Sequence, residues 1–508
     1  MALADAKLQV TELLASLSLA TDLGTGQPLG HGLSTSHLAV ALSREMGCRP
    51  EQVHHVQQVT LLRFLGCTSD AAHTARMVGG DEISFMSTFA SSFMGEPGER
   101  LIATIGSVAA GQPFPRRVKL VAAALAEPGQ VDESLSAHCE VGAMLARRLG
   151  LDEPVIAALG SAYERWDGKG APQGLAGEEI PLEVRIGIVA RDADLLARMD
   201  GDVVGTLRRR RGKAYDPAIV DLFIRLQPPH REVEWQEVIE AGPGPMAIVD
   251  DLDRALTAVA DFVDLKSPWT RGHSPLVADL AEGAARRSSL TGSERRDLRL
   301  AALVHDLGRV GIENGIWDKP GPLATAEWEK VRLHPYLTGR ILSRSAPLAE
   351  LAELASSHHE RLDGSGYHRQ SRGAHTSGAV RILAAADMLA ALISERPHRP
   401  ALDLDQAGEL LETEAGQGRL DTEAVRWVIE AAGGQAAPAR PAQRGDLTDR
   451  ELDVLRLLAR GHTNRRVGEE LFISPKTVGR HVENIYAKIG VSTRAGATVY
   501  AMEHQLLR

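Results

Sequence analysis

Several features that are common in secreted and membrane proteins are scarce in this sequence. It has three cysteines in 508 residues, and Cys48, Cys67 and Cys139 are scattered without metal-ligand spacing. This excludes a disulfide framework and a cysteine-based zinc site, and indicates core thiols in a reducing compartment. No apolar run approaches the roughly 20 residues needed to cross a bilayer, and the N-terminus lacks the pattern of a signal peptide. We therefore expect a cytoplasmic protein without a membrane segment.

Aromatic residues are also rare, at 4%, whereas hydrophobic residues reach 44% and are largely alanine and leucine. Such a composition favours helices packed on helices, so we predict an all-α fold, and the length suffices for about three domains. The net charge of −10 argues against a chain that coats nucleic acid along its length. From Asp446 onward, however, 10 Lys/Arg stand against 8 Asp/Glu, which indicates a small, weakly basic module on an acidic body.

Two adjacent pairs, His305-Asp306 and His358-His359, are the most informative feature that is present. Histidine beside aspartate on an apolar helix suits a bridged pair of divalent ions, since one carboxylate can span both ions and each imidazole can hold one. A buried ion pair is the alternative interpretation of His305-Asp306 taken alone. Further candidate ligands at suitable intervals favour metal binding, namely His273, His334 and Asp387. An isolated Asp387 in its apolar helix would be costly unless it were paired or metal-bound.

The chain contains an internal repeat. YERWDGKGAP is echoed by HERLDGSGYH, and VRIGIVARDADLL is echoed by VRILAAADMLAAL. A stretch rich in Pro, Ala, Gly and Gln then separates the second copy from the C-terminal module. We predict a first copy over residues 1–240, a second copy over 241–435, a linker over 436–445 and a C-terminal module over 446–508.

The first copy lacks most of the candidate ligands. At the corresponding positions it has His31, Arg63, Phe64, His138, Ala162, Tyr163 and Arg191. Only the two histidines could bind a metal, and two isolated imidazoles beside an arginine cannot hold a pair of ions. We therefore expect the first copy to be a structural or sensory relic, in which His31 and His138 are satisfied in the core or exposed to solvent.

The motifs of the second copy resemble those of the HD superfamily of metal-dependent phosphohydrolases, and within it the HD-GYP branch. The matching segments are RGHS, HDLGRVGI, HPYLTG, HHERLDGSGYH, ILAAADMLAAL and ERPHRPAL, over about residues 255–435, with a weaker match over about 20–230. The resemblance implies a divalent metal pair bridged by Asp306, and hydrolysis of cyclic di-GMP in which Asp306 and Arg309 are catalytic. The implied metal ligands are His273, His305, Asp306, His334, His358, His359 and Asp387. Because oxygen ligands are mixed with imidazoles, we expect iron or manganese.

The second copy departs from the family pattern at several positions. The family lysine after HD-x-G is Arg309, whose guanidinium can still bind a phosphate with a different geometry. The proline of GYP is His368, the second carboxylate of ADxxDAL is Ala390, and the aspartate of the D-x-Y/W-T element is Ser267. No acidic residue stands four positions before His273, so we expect no third metal. The metal ligands are complete, and the identity of the substrate stays open.

The C-terminal module predicts four short helices. The first runs from about Asp449 to Ala459, the second begins at Thr463-Asn464, and the third has Ser474 as N-cap and Pro475 as its first residue. The outer side of the third helix carries Lys476, Thr477, Arg480, His481, Asn484 and Lys488. Taken alone, this helix could be a solvated amphipathic helix or could enter the major groove of DNA.

The whole module is similar to the LuxR-type helix-turn-helix domain through LTDRE, GHTN, LFISPKTVGRH and KIGVSTR. The resemblance implies binding to double-stranded DNA as a homodimer that pairs through the last helix, about residues 494–507. The implied DNA contacts are Lys476, Thr477, Arg480, His481 and Asn484.

Three functions are compatible with these features. The first is a DNA-binding transcription regulator whose second copy binds or hydrolyses a phosphorylated nucleotide, such as cyclic di-GMP. The second is primarily a metal-dependent phosphodiesterase, in which the DNA-binding module serves localisation. The third keeps the metals without turnover and makes the HD region a ligand sensor or a dimerisation scaffold.

Overall fold

The computed structural model describes residues 7–90, 97–109, 112–126, 129–243, 247–372, 377–433 and 445–507. Within these residues the regular secondary structure is helical, and extended pairing is limited to isolated bridges such as Tyr163 with Ala171. The prediction of an all-α fold is therefore confirmed. The predicted linker over 436–445 lies outside the described residues except for Gly445. No described helix combines the length and the apolar character needed to span a membrane.

The chain divides into two compact units, and the first is Leu8–Asp250. Its helices are α1 (Val10–Gly24), α2 (His31–Glu45), α3 (Pro50–Leu62), α4 (Ala71–Val78), α5 (Glu82–Ala90), α6 (Pro97–Ser107), α7 (Phe114–Ala126), α8 (Gly129–Arg148), α9 (Glu153–Leu159), α10 (Leu182–Arg198), α11 (Val203–Arg210), α12 (Pro217–Leu226) and α13 (Trp235–Glu240). Helices α2, α3 and α10 pack on one another. Their core includes Val56, Ile186, Val189 and Phe223, which are buried.

The second unit contains Asp251–Arg508 and begins with the second copy of the repeat. The helices of this copy are α14 (Leu252–Asp264), α15 (His273–Ala285), α16 (Gly292–Val304), α17 (Asn314–Trp317), α18 (Thr325–Val331), α19 (His334–Leu342), α20 (Ala346–Ala355), α21 (Gly378–Leu392), α22 (Leu404–Gly416) and α23 (Thr422–Gly433). Helix α15 is central, because it packs against α16, α21 and α23.

The C-terminal module has the four predicted helices. They are α24 (Asp449–Ala459), α25 (Asn464–Leu471), α26 (Pro475–Ile489) and α27 (Arg494–Glu503). Ser474 caps α26, since its hydroxyl accepts a hydrogen bond from the backbone N–H of Thr477, as the sequence predicted. Leu455, Val467 and Ile485 are buried between the helices.

Local signals in the chain explain where the candidate ligands stand. Helix α16 begins with a capping box between Thr291 and Glu294 and ends at Val304. His305 and Asp306 follow directly and lead into a 3-10 helix, Leu307–Gly311. The last backbone carbonyl groups of a helix have no partner within the helix and can be bound by side chains. The two candidate ligands stand at such a helix end, where the chain turns.

A buried carboxyl group holds His273 at the start of α15. The carboxyl group of Asp264, at the end of α14, accepts hydrogen bonds from the backbone N–H and the hydroxyl of Ser274. Burial raises the pKa of Asp264 to about 8. Asp22 is the corresponding residue in the first copy, and its carboxyl group accepts hydrogen bonds from the backbone N–H groups of Gly30 and Gly32. Burial raises the pKa of Asp22 to about 8 as well. This carboxyl group therefore belongs to the shared framework.

Gly308 allows α19 to approach the His-Asp turn closely. A Cβ atom at this position would lie 2.1 Å from the carbonyl oxygen of His334 and 2.7 Å from the backbone nitrogen of Thr338. These are backbone atoms that cannot move aside without shifting the helix. Gly66 repeats the feature in the first copy, where a Cβ atom would lie 2.0 Å from the carbonyl oxygen of His138.

We expect Gly308→Ala to destabilise the protein by about 1–3 kcal/mol, because overpacking against backbone forces α19 away from the turn. Since His334 begins α19, the variant should also bind less metal. Thermal unfolding and metal analysis measure both effects. Gly321→Ala is a matched control, because nothing lies within 4 Å of a Cβ atom there. Equal unfolding temperatures of the two variants would contradict the close approach.

Candidate metal centre and nucleic-acid interface

The residues predicted as metal ligands converge from five places in the second copy. They are His273 at the start of α15, His305 and Asp306 after α16, His334 at the start of α19, His358 and His359 after α20, and Asp387 within α21. These residues form three groups, and within each group the possible ligand atoms lie within 4.8 Å of one another. Together the three groups contain all seven residues. The cluster is buried, and His359 is its most accessible member, with 21% of its side chain exposed.

Asp306 lies between two sets of imidazoles. Its Oδ1 atom is 3.3 Å from Nε2 of His334 and 3.6 Å from Nε2 of His358. Its Oδ2 atom is 3.5 Å from Nε2 of His305 and 3.8 Å from Nε2 of His273. Each carboxylate oxygen therefore faces a different pair of histidines, which is the arrangement that a bridging ligand requires.

Asp387 contributes a second carboxylate that also faces both sets. Its Oδ1 atom is 3.1 Å from Nε2 of His273 and 3.7 Å from Nε2 of His305. Its Oδ2 atom is 3.7 Å from Nδ1 of His359. The aspartate that α21 places in its apolar face is therefore surrounded by imidazoles, which accounts for its burial.

Three of the histidines are oriented by the ends of the preceding helices. Nδ1 of His305, His334 and His358 lies 2.7, 2.6 and 2.7 Å from the carbonyl oxygen three residues earlier in the chain. The protonated Nδ1 of each ring donates to this carbonyl oxygen, which turns Nε2 toward the carboxylates. This pattern fixes the tautomer and the ring orientation that a metal ligand needs.

The chemistry of the cluster fits a divalent cation. Nε2 of His305 and Nδ1 of His273 are buried and have no hydrogen-bond partner among the described residues. Burial lowers the pKa of His273 to about 4 and that of His358 to about 3, so both imidazoles are neutral at pH 7. Burial opposes charge on His305 as well, but the carboxylates of Asp306 and Asp387 raise its pKa to about 9. A metal ion would take the place of that proton.

Two arginines lie beside the cluster. Nη1 of Arg309 is 2.7 Å from Oδ2 of Asp306, and its guanidinium stacks on Trp317 with 3.9 Å between Cζ and the ring centre. Arg396 donates to the carbonyl oxygen of Trp269. Burial and the nearby Arg309 lower the pKa of Arg396 to about 10, although Asp387 and Asp306 act in the opposite direction. Sequence reasoning assigned no role to Arg396 or Trp317, and the ERPHRPAL segment of the resemblance is the signal that could have suggested the arginine.

Aromatic rings line the side of the cluster next to His359. Tyr367 lies against His359 with ring centres 4.6 Å apart, and Tyr336 lies 5.7 Å from His368. Both copies have a cis peptide bond at the corresponding place, Ala171–Pro172 in the first and Tyr367–His368 in the second. His368, which replaces the family proline, directly follows Tyr367 in the chain.

The first copy keeps the framework and pairs its remaining histidines with carboxylates. Nδ1 of His31 is 2.6 Å from Asp194, and Nε2 of His138 is 2.7 Å from Asp70. Among the described residues, groups able to hold a metal occur in the second copy alone. Arg63 occupies the position of His305 and is buried.

The outer face of α26 carries the predicted DNA contacts. Lys476, Thr477, Arg480 and Asn484 are exposed, and His481 is half-buried. Lys476 and Arg480 form no ion pair with other described residues, so their charges are available to phosphates and bases. Lys488 differs, because its ammonium group lies 2.7 Å from Glu451 and connects α26 to α24.

Comparisons with known proteins identify a family for each of the two regions. The HD domain family matches residues 131–219 and 257–424, and the luxR family of bacterial regulatory proteins matches 446–501. The 3'3'-cGAMP-specific phosphodiesterase 3 of Vibrio cholerae is 32% identical over 441 residues, which cover 81% of this chain and 92% of that protein. A cyclic di-GMP phosphodiesterase of Thermotoga maritima is 34% identical over 164 residues, 32% of this chain and 44% of that protein.

Among solved structures, a crystal structure of cyclic GMP-AMP specific phosphodiesterases of V. cholerae matches with a TM-score of 0.58 and 28% identity, and covers 84% of this chain and 98% of that one. The HD domain family matches part of the first copy and most of the second, and both relatives are named as cyclic dinucleotide phosphodiesterases. The chain therefore belongs to the HD-domain family, with HD-GYP motifs in its second copy and a luxR-family helix-turn-helix domain after it.

Proposed function

We propose that this protein is a DNA-binding transcription regulator whose second HD copy binds a pair of divalent metal ions and hydrolyses a cyclic dinucleotide. The observation that carries the proposal is the placement of Asp306, with one carboxylate oxygen toward His334 and His358 and the other toward His305 and His273. One set of ligands would hold each ion, and Asp306 would join them.

The metal ligands fall into two sets in this proposal. His273, His305 and Asp387 would hold one ion, and His334, His358 and His359 the other. When bound, the ion pair would supply an activated water and neutralise charge on the phosphodiester. The helix-end carbonyl groups would hold the rings of His305, His334 and His358 with Nε2 directed toward the ions.

The two arginines would act on the phosphate. Arg309 is held between Asp306 and the Trp317 ring, so its guanidinium is preorganised beside the centre. Arg396 lies close enough to Arg309 and the carboxylates for its pKa to respond to them. Both would bind phosphate oxygens and stabilise the charge that develops during cleavage.

The substrate class rests on the relatives and on the rings beside the centre. The relatives act on 3'3'-cGAMP or cyclic di-GMP, according to their names. Tyr367, Tyr336 and His368 offer flat surfaces against which a nucleobase can stack. We therefore propose a 3'3'-linked cyclic dinucleotide as the substrate.

Metal removal tests the proposal. We expect the full chain, once stripped by a chelator, to be inactive on 3'3'-cGAMP and cyclic di-GMP. Mn²⁺ or Fe²⁺ should restore cleavage, with about two ions bound per chain. Chromatography of the nucleotides and elemental analysis of the protein give the two readouts. Activity that persists without metal, or the binding of a single ion, would contradict the metal pair.

A second candidate function is a metal-bound sensor that binds the dinucleotide without cleaving it. It is favoured by the contact of Arg309 with Oδ2 of Asp306, since a guanidinium group held by this carboxylate is less free to stabilise charge on the phosphate during cleavage. Such a protein would bind two ions and the nucleotide but release no linear product.

DNA binding would be the output. Lys476 and Arg480 of α26 are exposed and form no ion pair with other described residues, which supports contact with double-stranded DNA. In this proposal the nucleotide state of the HD region would alter the affinity for an operator, and the chain would bind its site as a homodimer.

A further inference from the structure

The first copy has two arginines where the second copy has metal ligands. Arg63 follows α3 at the position of His305, and Arg191 lies in α10 at the position of Asp387. Arg63 is 9% exposed, and its Cζ atom lies 5.3 Å from the centre of the Tyr163 ring. Cζ of Arg191 lies 5.8 Å from the centre of the Phe64 ring. Two guanidinium groups therefore stand beside two aromatic rings at the place where the other copy has a candidate metal centre.

Arg63 forms no ion pair within the described part of the chain. Its Nε atom is buried without a partner, and the side chain forms no hydrogen bond or ion pair with any described residue. Burial and the neighbouring Arg191 lower the pKa of Arg63, although Tyr163 and the carboxylate of Asp192 act in the opposite direction. An unpaired buried guanidinium is strongly unfavourable, and one aromatic ring compensates only part of the cost.

The carboxylates nearby are already engaged. Arg191 pairs with Asp192, which also accepts a hydrogen bond from Tyr215 and lies 3.9 Å from Arg210. Arg210 binds Glu99 as well. His31 and His138 pair with Asp194 and Asp70. Positive charge at Arg63 is thus left for an external anion.

The framework around the arginines is the one that surrounds the candidate metal centre. Glu164 accepts from the N–H groups of Gln173 and Gly174, as Glu360 does from those of Arg369 and Ser371. An ion pair of Arg185 with Asp216 corresponds to that of Arg381 with Asp421. The two copies therefore present their central residues from the same scaffold.

We propose that the first copy is a metal-independent binding site for a phosphate-bearing nucleotide, with Arg63 and Arg191 contacting the phosphate. In the second copy, ions held by histidines and aspartates would meet the phosphodiester. In the first copy the protein itself supplies the positive charge, and its described residues contain no group that could hold a metal to activate water. Guanidinium groups bind phosphate oxygens in a bidentate manner. With arginines in place of metal ligands, the first copy would therefore bind the phosphate without hydrolysing it. The inference does not depend on turnover in the second copy.

The test uses the full chain stripped of metal, so that the second copy lacks its ions. Titration calorimetry with cyclic di-GMP, its linear dinucleotide and inorganic phosphate should detect one site per chain. Arg63→Met should weaken this binding by about 10-fold or more, because it removes a charge-assisted contact with the phosphate. The methionine side chain keeps a similar volume. Its melting temperature without ligand should stay equal or rise, since an unpaired buried charge is lost.

Arg147→Met is the matched control, because Arg147 is an arginine of the same copy with an exposed side chain. It should bind like the unchanged protein. A preference for the cyclic or the linear dinucleotide would identify the source of the phosphate group. The proposal is wrong if none of the three ligands binds, if Arg63→Met binds as well as Arg147→Met, or if Arg63→Met lowers the melting temperature and leaves binding intact. Absence of hydrolysis by the metal-loaded protein would bear only on the second copy.

Discussion

Asp306→Ala should lower cleavage of a cyclic dinucleotide by roughly a thousandfold or more and should release at least one of the two metal ions. The physical reason is that both carboxylate oxygens face imidazoles of different sets, so removal of this one side chain affects both ion positions. Loss of the ion pair removes several kcal/mol of transition-state stabilisation, which corresponds to a rate change of that size. Rates measured beside the metal content of the same preparation test the expectation.

Two controls make the result specific. Asp405→Ala removes an exposed aspartate at the start of α22 and should leave rate and metal content unchanged. Arg309 loses its partner in Asp306→Ala, so the melting temperature of the variant must be compared with that of Arg309→Met. A folded Asp306→Ala protein that keeps two ions would show that Asp306 does not bridge. One that keeps two ions and loses only turnover would assign it to catalysis alone.

Arg480→Ala and His481→Ala should each weaken a specific DNA complex by roughly 10- to 100-fold, the effect of losing a base contact worth about 1–3 kcal/mol. Arg480 is exposed on α26 and unpaired among the described residues, so no internal contact is lost with it. Lys476→Ala should weaken specific and nonspecific DNA to a similar degree, because a lysine near the helix start neutralises phosphate. Fluorescence anisotropy at several salt concentrations separates the two effects.

Arg426→Ala provides the comparison, since Arg426 is an exposed arginine outside the helix-turn-helix domain. It should leave DNA affinity and its salt dependence unchanged. Metal content should be the same in all of these variants. If Arg480→Ala and His481→Ala bind DNA like Arg426→Ala, then α26 does not enter the groove.

The candidate metal ligands could be identified from the sequence because their residue types occur together in short motifs. His305-Asp306 and His358-His359 are adjacent in the chain, and the repeat supplies an internal comparison in which the same helices lack them. The bounds of α24 and the N-cap of α26 could be predicted for a similar reason, since capping and turn signals act over a few residues. Such signals depend only on residues that are close in sequence.

Other parts of the site depend on contacts between distant segments. Arg396 reaches the carbonyl oxygen of Trp269, and Arg309 stacks on Trp317, neither of which follows from a spacing rule. Lys488 has the pattern of a DNA-facing lysine, but its ammonium group binds Glu451 on α24. These pairings are decided by how helices pack, and periodicity along one helix does not report the neighbour it meets.

The sequence by itself determined the all-α class, the tandem repeat, the set of possible metal ligands and the helix-turn-helix module, because periodicity, capping and residue chemistry are local properties. Only the tertiary structure decided that the two oxygens of Asp306 face different histidines, and that helix-end carbonyl groups orient three of the imidazoles. It also decided that Nε of Arg63 is buried without a hydrogen-bond partner among the described residues. The distances between side chains, their burial and their pairing are set when segments far apart in the chain pack together. This packing brings the candidate ligands into one cluster.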